Sequence, residues 1–180
     1  NIVESDTGML LGTMDSPQSQ YQAHTGAVYV HQGQTFLVDE LNEADHCAMV
    51  TRGNPESYTH ARDGTQIQVL ETERTSRWGE IQVCFGTVKV TTQVVSFQRK
   101  ALISNEILGE EPLDLEAKEL FTKAVWFVID EHLLTGAGLI PGDLAGALRA
   151  AEHASIGMLP LIATSDRWDI GGVSTALHAD

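Results

Sequence analysis

Between Tyr21 and Phe97 short apolar runs alternate with polar positions and are punctuated by turn residues, the pattern of strands rather than helices. The runs Ala27-Val28-Tyr29-Val30 and Thr35-Phe36-Leu37-Val38 flank Gln32-Gly33. A glycine there supplies the positive φ of a tight turn, so the pair predicts a β-hairpin. Further strands are predicted over 47–51, ended by Gly53-Asn54-Pro55, and over 66–70, where Ile67 and Val69 alternate with polar neighbours. The longest candidate covers 78–97, with Ile81, Val83 and Phe85 on one parity and Val88 and Val90 on the other. Gly86 stands at the switch, as at a bulge or sharp bend. Several short antiparallel strands with bends predict a small barrel or a strongly coiled sheet.

The character changes around Glu110-Glu111-Pro112. Residues 113–130 read as a turn followed by a strand, because Ala124-Val125-Trp126-Phe127-Val128-Ile129 is a continuous apolar run. A helix is predicted from Leu144 with Asp143 as its cap. Leu144, Ala147, Leu148, Ala151, Ser155 and Met158 share one face, and Pro160 ends or kinks it. The tail from Thr164, with Gly171-Gly172, reads as an ordered loop. The expected class is α+β: an antiparallel β-rich subdomain over 1–112, then a strand and a short helical subdomain over 113–180.

Length and composition narrow the class. A chain of 180 residues with 42% hydrophobic and 20% charged positions buries a core without disulfide staples. Its longest apolar stretches, 124–129 and 156–163, fall short of the roughly 20 residues that span a bilayer. The first residues have neither the basic nor the apolar region of a signal peptide, and there is no initiator Met, so the chain reads as an excised piece of a cytoplasmic protein. Cys47 and Cys84 lack CxxC spacing and read as buried, reduced thiols; no metal site built on thiolates is expected within this chain.

Net charge is −14, but it is unevenly spread. Residues 1–51 hold seven acids and no Lys or Arg, residues 52–100 hold seven basic and five acidic side chains, and residues 101–180 hold four basic and thirteen acidic. Only the middle segment has the cations that phosphate binding requires. Arg52, Arg62, Arg77, Lys89, Arg99 and Lys100, with Trp78 for stacking, are the candidate nucleic-acid contacts; Arg74 lies in the same stretch. The bland alternative is a solvated sheet face.

No GxxxxGK[ST], GxGxxG or GxSxG motif is present. Asp130-Glu131-His132 suggests a helicase D-E-x-H box but has Leu133 at the fourth position, and reads as a strand end with solvated charges. The densest polar cluster joins Glu152 and His153 to Asp166, Arg167, Asp169, Gly171, Gly172 and His178. Two His and two Asp suit a mixed nitrogen and oxygen metal site or an acid–base pair. The bland reading has Asp166 and Asp169 capping backbone amides and His153 bonded in the core.

The run from Ala151-Glu152-His153-Ala154 through Leu159-Pro160-Leu161, Ser165-Asp166-Arg167-Trp168-Asp169-Ile170-Gly171-Gly172-Val173-Ser174 and His178, together with His24 to Leu41, resembles the C-terminal region of the MrfA/YprA-type superfamily 2 DNA helicases. The likeness spans about Tyr21 to His178, with Thr25 where the family commonly has Pro. It implies a 3′–5′ ATP-dependent repair helicase with two RecA-like motor domains before Asn1 and a four-cysteine zinc module beyond Asp180. ATP with Mg and Zn would then belong to the parent protein and none to this chain. By position, Glu152, His153, Asp166, Arg167, Asp169, Gly171, Gly172 and His178 carry over onto the family motif with roles left open. The expected function is an accessory segment that guides single-stranded or forked DNA and braces the motor domains in cis, with no ATPase and no catalytic residue of its own. Two other readings stay open. One is a protein-interaction module that never touches DNA; the other is a metal-dependent hydrolase using His153, Asp166, Asp169 and His178.

Overall fold

Apolar positions in the first fifty residues build one five-stranded sheet from β1 (Ile2–Glu4), β2 (Leu10–Gly12), β3 (Val28–His31), β4 (Gln34–Asn42) and β5 (Cys47–Arg52), in the order β2-β1-β5-β4-β3. β1 runs parallel to β5, and the other pairs are antiparallel. The predicted hairpin is β3–β4, and both Gln32 and Gly33 are left-handed (φ 48° and 77°), the geometry that matches strand twist in a two-residue turn. The outer strands curl towards each other: a Cβ on Gly12 of β2 would lie 3.6 Å from the His31 ring of β3. This is the coiled, barrel-like sheet expected from the spacing of the strands. Its core is Ile2, Ala23, Ala27, Phe36, Val38, Ala48 and Val50.

Helix α1 (Ser16–Gln22) closes one side of that core. Its start follows from chemistry: the Asp15 carboxylate accepts the Gln18 amide at 3.1 Å, and Pro17 sits in the first turn. Buried Gln20 donates to Glu43 at 2.8 Å and to the Glu116 carbonyl at 2.9 Å. Burial works against the charge on Glu43, yet hydrogen bonds from Lys118, Gln20 and the Glu116 amide outweigh it and hold the carboxyl below its usual range.

A second sheet follows from two long strands, β6 (Ser57–Trp78) and β7 (Ile81–Ala101), with β8 (Ile107–Pro112) and β9 (Lys118–Val128) also paired to β7. The segments predicted over 66–70 and 78–97 are parts of this longer pair. The computed structural model describes residues 1–165 and 170–174, and divides the chain into two units: 1–64 with 92–118, and 65–91 with 119–180. The compositional change at Pro112 lies inside the first unit.

Burial along β7 corrects the expected parity. Cys84, Gly86 and Val88 are buried, whereas Ile81, Val83 and Phe85 are half-buried. The change of parity comes later, between buried Val94 and buried Phe97. The strand is partly covered on both faces, so small even-numbered side chains lie deeper than large odd-numbered ones. Gly86 is required for a different reason from a parity switch, because a Cβ there would stand 1.9 Å from the Glu71 carbonyl oxygen of β6.

In the second unit α2 (Glu131–Gly136) starts at Asp130, whose carbonyl accepts from Leu133. The Asp130-Glu131-His132 stretch is therefore a helix start as well as a strand end, with all three side chains exposed. Helix α3 (Leu144–Met158) occupies the predicted span, followed by a 3-10 turn over Leu159–Leu161 that contains Pro160. Asp143 does not cap it through its side chain. Pro141-Gly142-Asp143 already wind a 3-10 turn, leaving Asp143 with helix-like angles (φ −96°, ψ −12°) rather than the extended ones of a capping residue. No helix is long and apolar enough to cross a membrane among the described residues.

Candidate nucleic-acid interface

Three of the six candidate cations are already matched by carboxylates. At the end of β5 the Arg52 Nε donates to Glu4 at 2.6 Å, and its guanidinium lies over the Phe36 ring. Glu4 is only 2% exposed; hydrogen bonds from Thr7 and then Arg52 hold its carboxyl below its usual range, against the pull of burial. Arg99 of β7 donates to Glu111 of β8 at 2.9 Å and lies over Phe97, and Lys89 of β7 meets Glu119 at 3.1 Å. Arg52, Lys89 and Arg99 are thus side chains whose charge is largely spent within the fold.

Arg62, Arg77 and Lys100 make no salt bridge among the described residues. Arg62 of β6 contributes to the field on Glu110, whose carboxyl is held low chiefly by hydrogen bonds from Ser96 and Gln98. Lys100 is half-buried, opposite Ile107 in the β7–β8 register. Arg77 and Trp78 close β6, and the chain turns at Gly79 with φ +64°. Trp78 is 74% exposed. Arg77 and Trp78 thus place an exposed cation and an exposed indole at consecutive positions of one hairpin end.

Three features escaped the sequence reading. Lys123 of β9 donates to Thr87 at 2.7 Å and pairs with Glu73, and together they lower the Glu73 carboxyl. Arg74 lies over Phe85. His24 is fully buried, its Nδ1 bonded to the Thr25 carbonyl at 3.0 Å and its ring 4.6 Å from Phe97. Its Nε2 has no hydrogen-bond partner among the described residues, and burial keeps the imidazole below its usual range despite that hydrogen bond and the charge of Glu111. The partners of Lys123 and the ring tilted against His24 come from distant positions, so local sequence gave no signal for them.

Of the family-motif residues, Glu152 and exposed His153 lie on α3. A Cβ on Gly172 would come within 3.0 Å of the Glu152 Cγ and 2.9 Å of the Ile156 Cδ1, so this glycine backbone rests against the helix, while Gly171 faces open space. Glu152 Oε2 has no hydrogen-bond partner among the described residues. Asp166, Arg167, Asp169 and His178 lie outside the described residues. No cluster of three His, Cys, Asp or Glu suited to a metal occurs among the described residues. Both thiols are free: Cys84 is buried beside Thr75 and Gln82, and Cys47 lies against the Met49 sulfur. Two such thiols do not fit a four-cysteine zinc centre.

A curled β-sheet, a long β-hairpin with a basic aromatic end and a C-terminal helical segment define a β-rich α+β module. No family model matches the chain. It is 28% identical over 168 residues to the ATP-dependent helicase YprA of Bacillus subtilis, covering 92% of this chain and 22% of that protein. It is 26% identical over 164 residues to the ATP-dependent helicase HRQ1 of Saccharomyces cerevisiae, covering 88% of this chain and 15% of that protein. The crystal structure of the helicase MrfA bound to DNA superposes with a TM-score of 0.75 and 26% identity over 99% of this chain and 24% of that one. The chain is homologous to a segment of the YprA and Hrq1 helicases, and it spans 22% and 15% of the length of the two curated relatives named.

Proposed function

We propose that these residues form an accessory segment of an ATP-dependent DNA helicase, which guides a single strand or fork along the β6–β7 hairpin and braces RecA-like motor domains in the same polypeptide. Homology to helicases supports the general assignment. The observation that carries DNA guidance is the Arg77 and Trp78 pair: an arginine without an ion pair among the described residues beside an indole 74% exposed. ATP with Mg and the zinc module belong, in this reading, to other parts of the polypeptide, since this chain has no phosphate loop and too few thiols.

Fluorescence anisotropy of single-stranded DNA across a salt series tests the reading. Each phosphate contact contributes about 0.7 to the slope of log K against log salt for single strands. Arg77→Glu with Trp78→Ala is expected to remove most of the binding and lower the slope. Absence of binding at low salt overturns DNA guidance and favours the second reading, a brace that does not touch DNA. That reading is supported by the carboxylate partners of Arg52, Lys89 and Arg99.

A further inference from the structure

Between β2 and the β3–β4 hairpin, wholly within the first unit, lies a cleft of about 320 Å³. Phe36 with Met9 and Leu10, the last two 50% and 56% exposed, supplies its apolar side, and His31, Gln32, Gln34 and Arg52 supply its polar side. Most of that polar capacity is unspent. The side chains of Gln32 and Gln34 make no hydrogen bond among the described residues. Of the Arg52 guanidinium only Nε is engaged, by Glu4 at 2.6 Å, which leaves the two terminal nitrogens of a side chain 58% exposed. Gln32 adds a second sign. Its left-handed φ of 48° is uncommon for a residue of that size, and backbone strain of this kind gathers where a side chain is presented to a ligand.

Charge and size select the occupant. Buried Glu4 balances the charge of Arg52, and no Asp or Glu lines the cleft. A phosphate therefore gains little there, whereas a neutral planar group gains hydrogen bonds along its edge and apolar contact on its faces. A volume of about 320 Å³ is at the small end of ligand pockets, room for one heterocycle and too little for a helix or strand of another protein. Among the bases, guanine offers O6 and N7 as two adjacent acceptors that match the paired donors of an arginine. Its ring and amino N–H groups are donors that a glutamine carbonyl accepts. We propose that this cleft takes one unstacked guanine base of a bound single strand, with Arg52 donating to O6 and N7 and the Gln32 and Gln34 amides meeting the rest of its edge. The proposal rests on the DNA-guiding reading above and gives it a base-selective subsite.

The test is fluorescence anisotropy of the 180-residue chain with labelled oligothymidylates that carry one central guanine, adenine or 7-deazaguanine. The guanine strand is expected to bind at least about five-fold more tightly than the adenine strand, and the loss of N7 in 7-deazaguanine to remove most of that preference. Amide resonances of residues 9–11, 31–36 and 52 are expected to shift on adding the guanine strand; shifts that leave those residues unmoved overturn the proposal. Arg52→Lys keeps a cation for Glu4 but loses the paired donors, and is expected to abolish the preference. Gln34→Ala, at an exposed side chain without a described hydrogen bond, is expected to weaken it at an unchanged melting temperature. The base analogues act on the unaltered protein, so the outcome does not depend on either variant folding. Salt-sensitive binding with equal affinity for the three strands refutes the guanine cleft and leaves DNA guidance standing, whereas no binding of any strand refutes DNA guidance and the cleft with it. Displacement of the guanine strand by an equimolar amount of free deoxyguanosine monophosphate would make the cleft a nucleotide site and overturn the strand as the source of the base.

Discussion

Replacing Gly86 with Ala puts a methyl group where the backbone of β6 already is. The added Cβ would lie 1.9 Å from the Glu71 carbonyl oxygen, 2.9 Å from its carbonyl carbon and 3.0 Å from the Thr72 Cα. All three are main-chain atoms, so no side-chain rotation relieves the clash, and β6 and β7 must separate locally by more than about an ångström to restore ordinary contact. Overpacking of this kind costs roughly 1–3 kcal/mol, and a backbone obstacle places this case at about 3 kcal/mol. The intrinsic effect has the opposite sign, since removing glycine's freedom in the unfolded chain favours Ala by about 0.4–1 kcal/mol at a compatible site. Net destabilisation is therefore about 2 kcal/mol, a fall in melting temperature of about 4–8 °C for a chain of this size. The assay is thermal unfolding by circular dichroism, with hydrogen exchange at 71–72 as a local readout. Gly109→Ala, at a position with open space around it, is the control and is expected to change stability by under about 0.5 kcal/mol. A Gly86→Ala variant that melts with the wild type would refute the close approach of the two strands.

The carboxyl of Glu4 is held low in the fold, so its contribution is present above its ordinary value of 4.5 and is lost as pH falls below it; Glu4→Gln is expected to flatten that acid limb in pH-dependent urea melts. His24 has the reverse charge type but the same direction of loss. The fold favours the neutral ring, so its contribution is complete above 6.5 and declines as the unfolded chain takes up a proton below that pH, and His24→Leu should remove this slope below 6.5. Burial, with the charge of Asp63 and a hydrogen bond to it, pushes the Tyr21 phenol up to about 12, so its ultraviolet titration should come well after that of a Tyr21→Phe variant's remaining tyrosines; coincident curves would exclude the buried contact. Charge reversal at Arg99 is expected to destabilise the β7–β8 pair by about 1 kcal/mol or less with a small effect on DNA affinity, because its carboxylate partner is partly exposed.

Much of the fold was legible because its signals are local. Gln32-Gly33 announced a hairpin through the φ angles that only a few residues adopt, and the spacing from Leu144 to Met158 announced a helix through a repeat near 3.6. Elements that depend on remote partners gave no such sign. Three-residue β1 and β2 are strands because β5 and each other supply their ladders, and β8, wholly exposed in side-chain terms, exists because β7 runs beside it. The candidate site divides in the same way. The identity of each Arg and Lys was visible, but the availability of its charge was not. Glu4 lies 48 positions from Arg52, and Glu119 lies 30 from Lys89, so cross-strand register decided which cations were spent. Arg62, Arg77 and Lys100 are left without an ion pair among the described residues, Lys100 lying opposite apolar Ile107 and Arg77 next to the turn at Gly79. A net charge of −14 thus says little about where phosphate could be held. The deciding quantity is local pairing, and the hairpin end at Arg77 and Trp78 is where that pairing leaves both a cation and a stacking surface open to solvent.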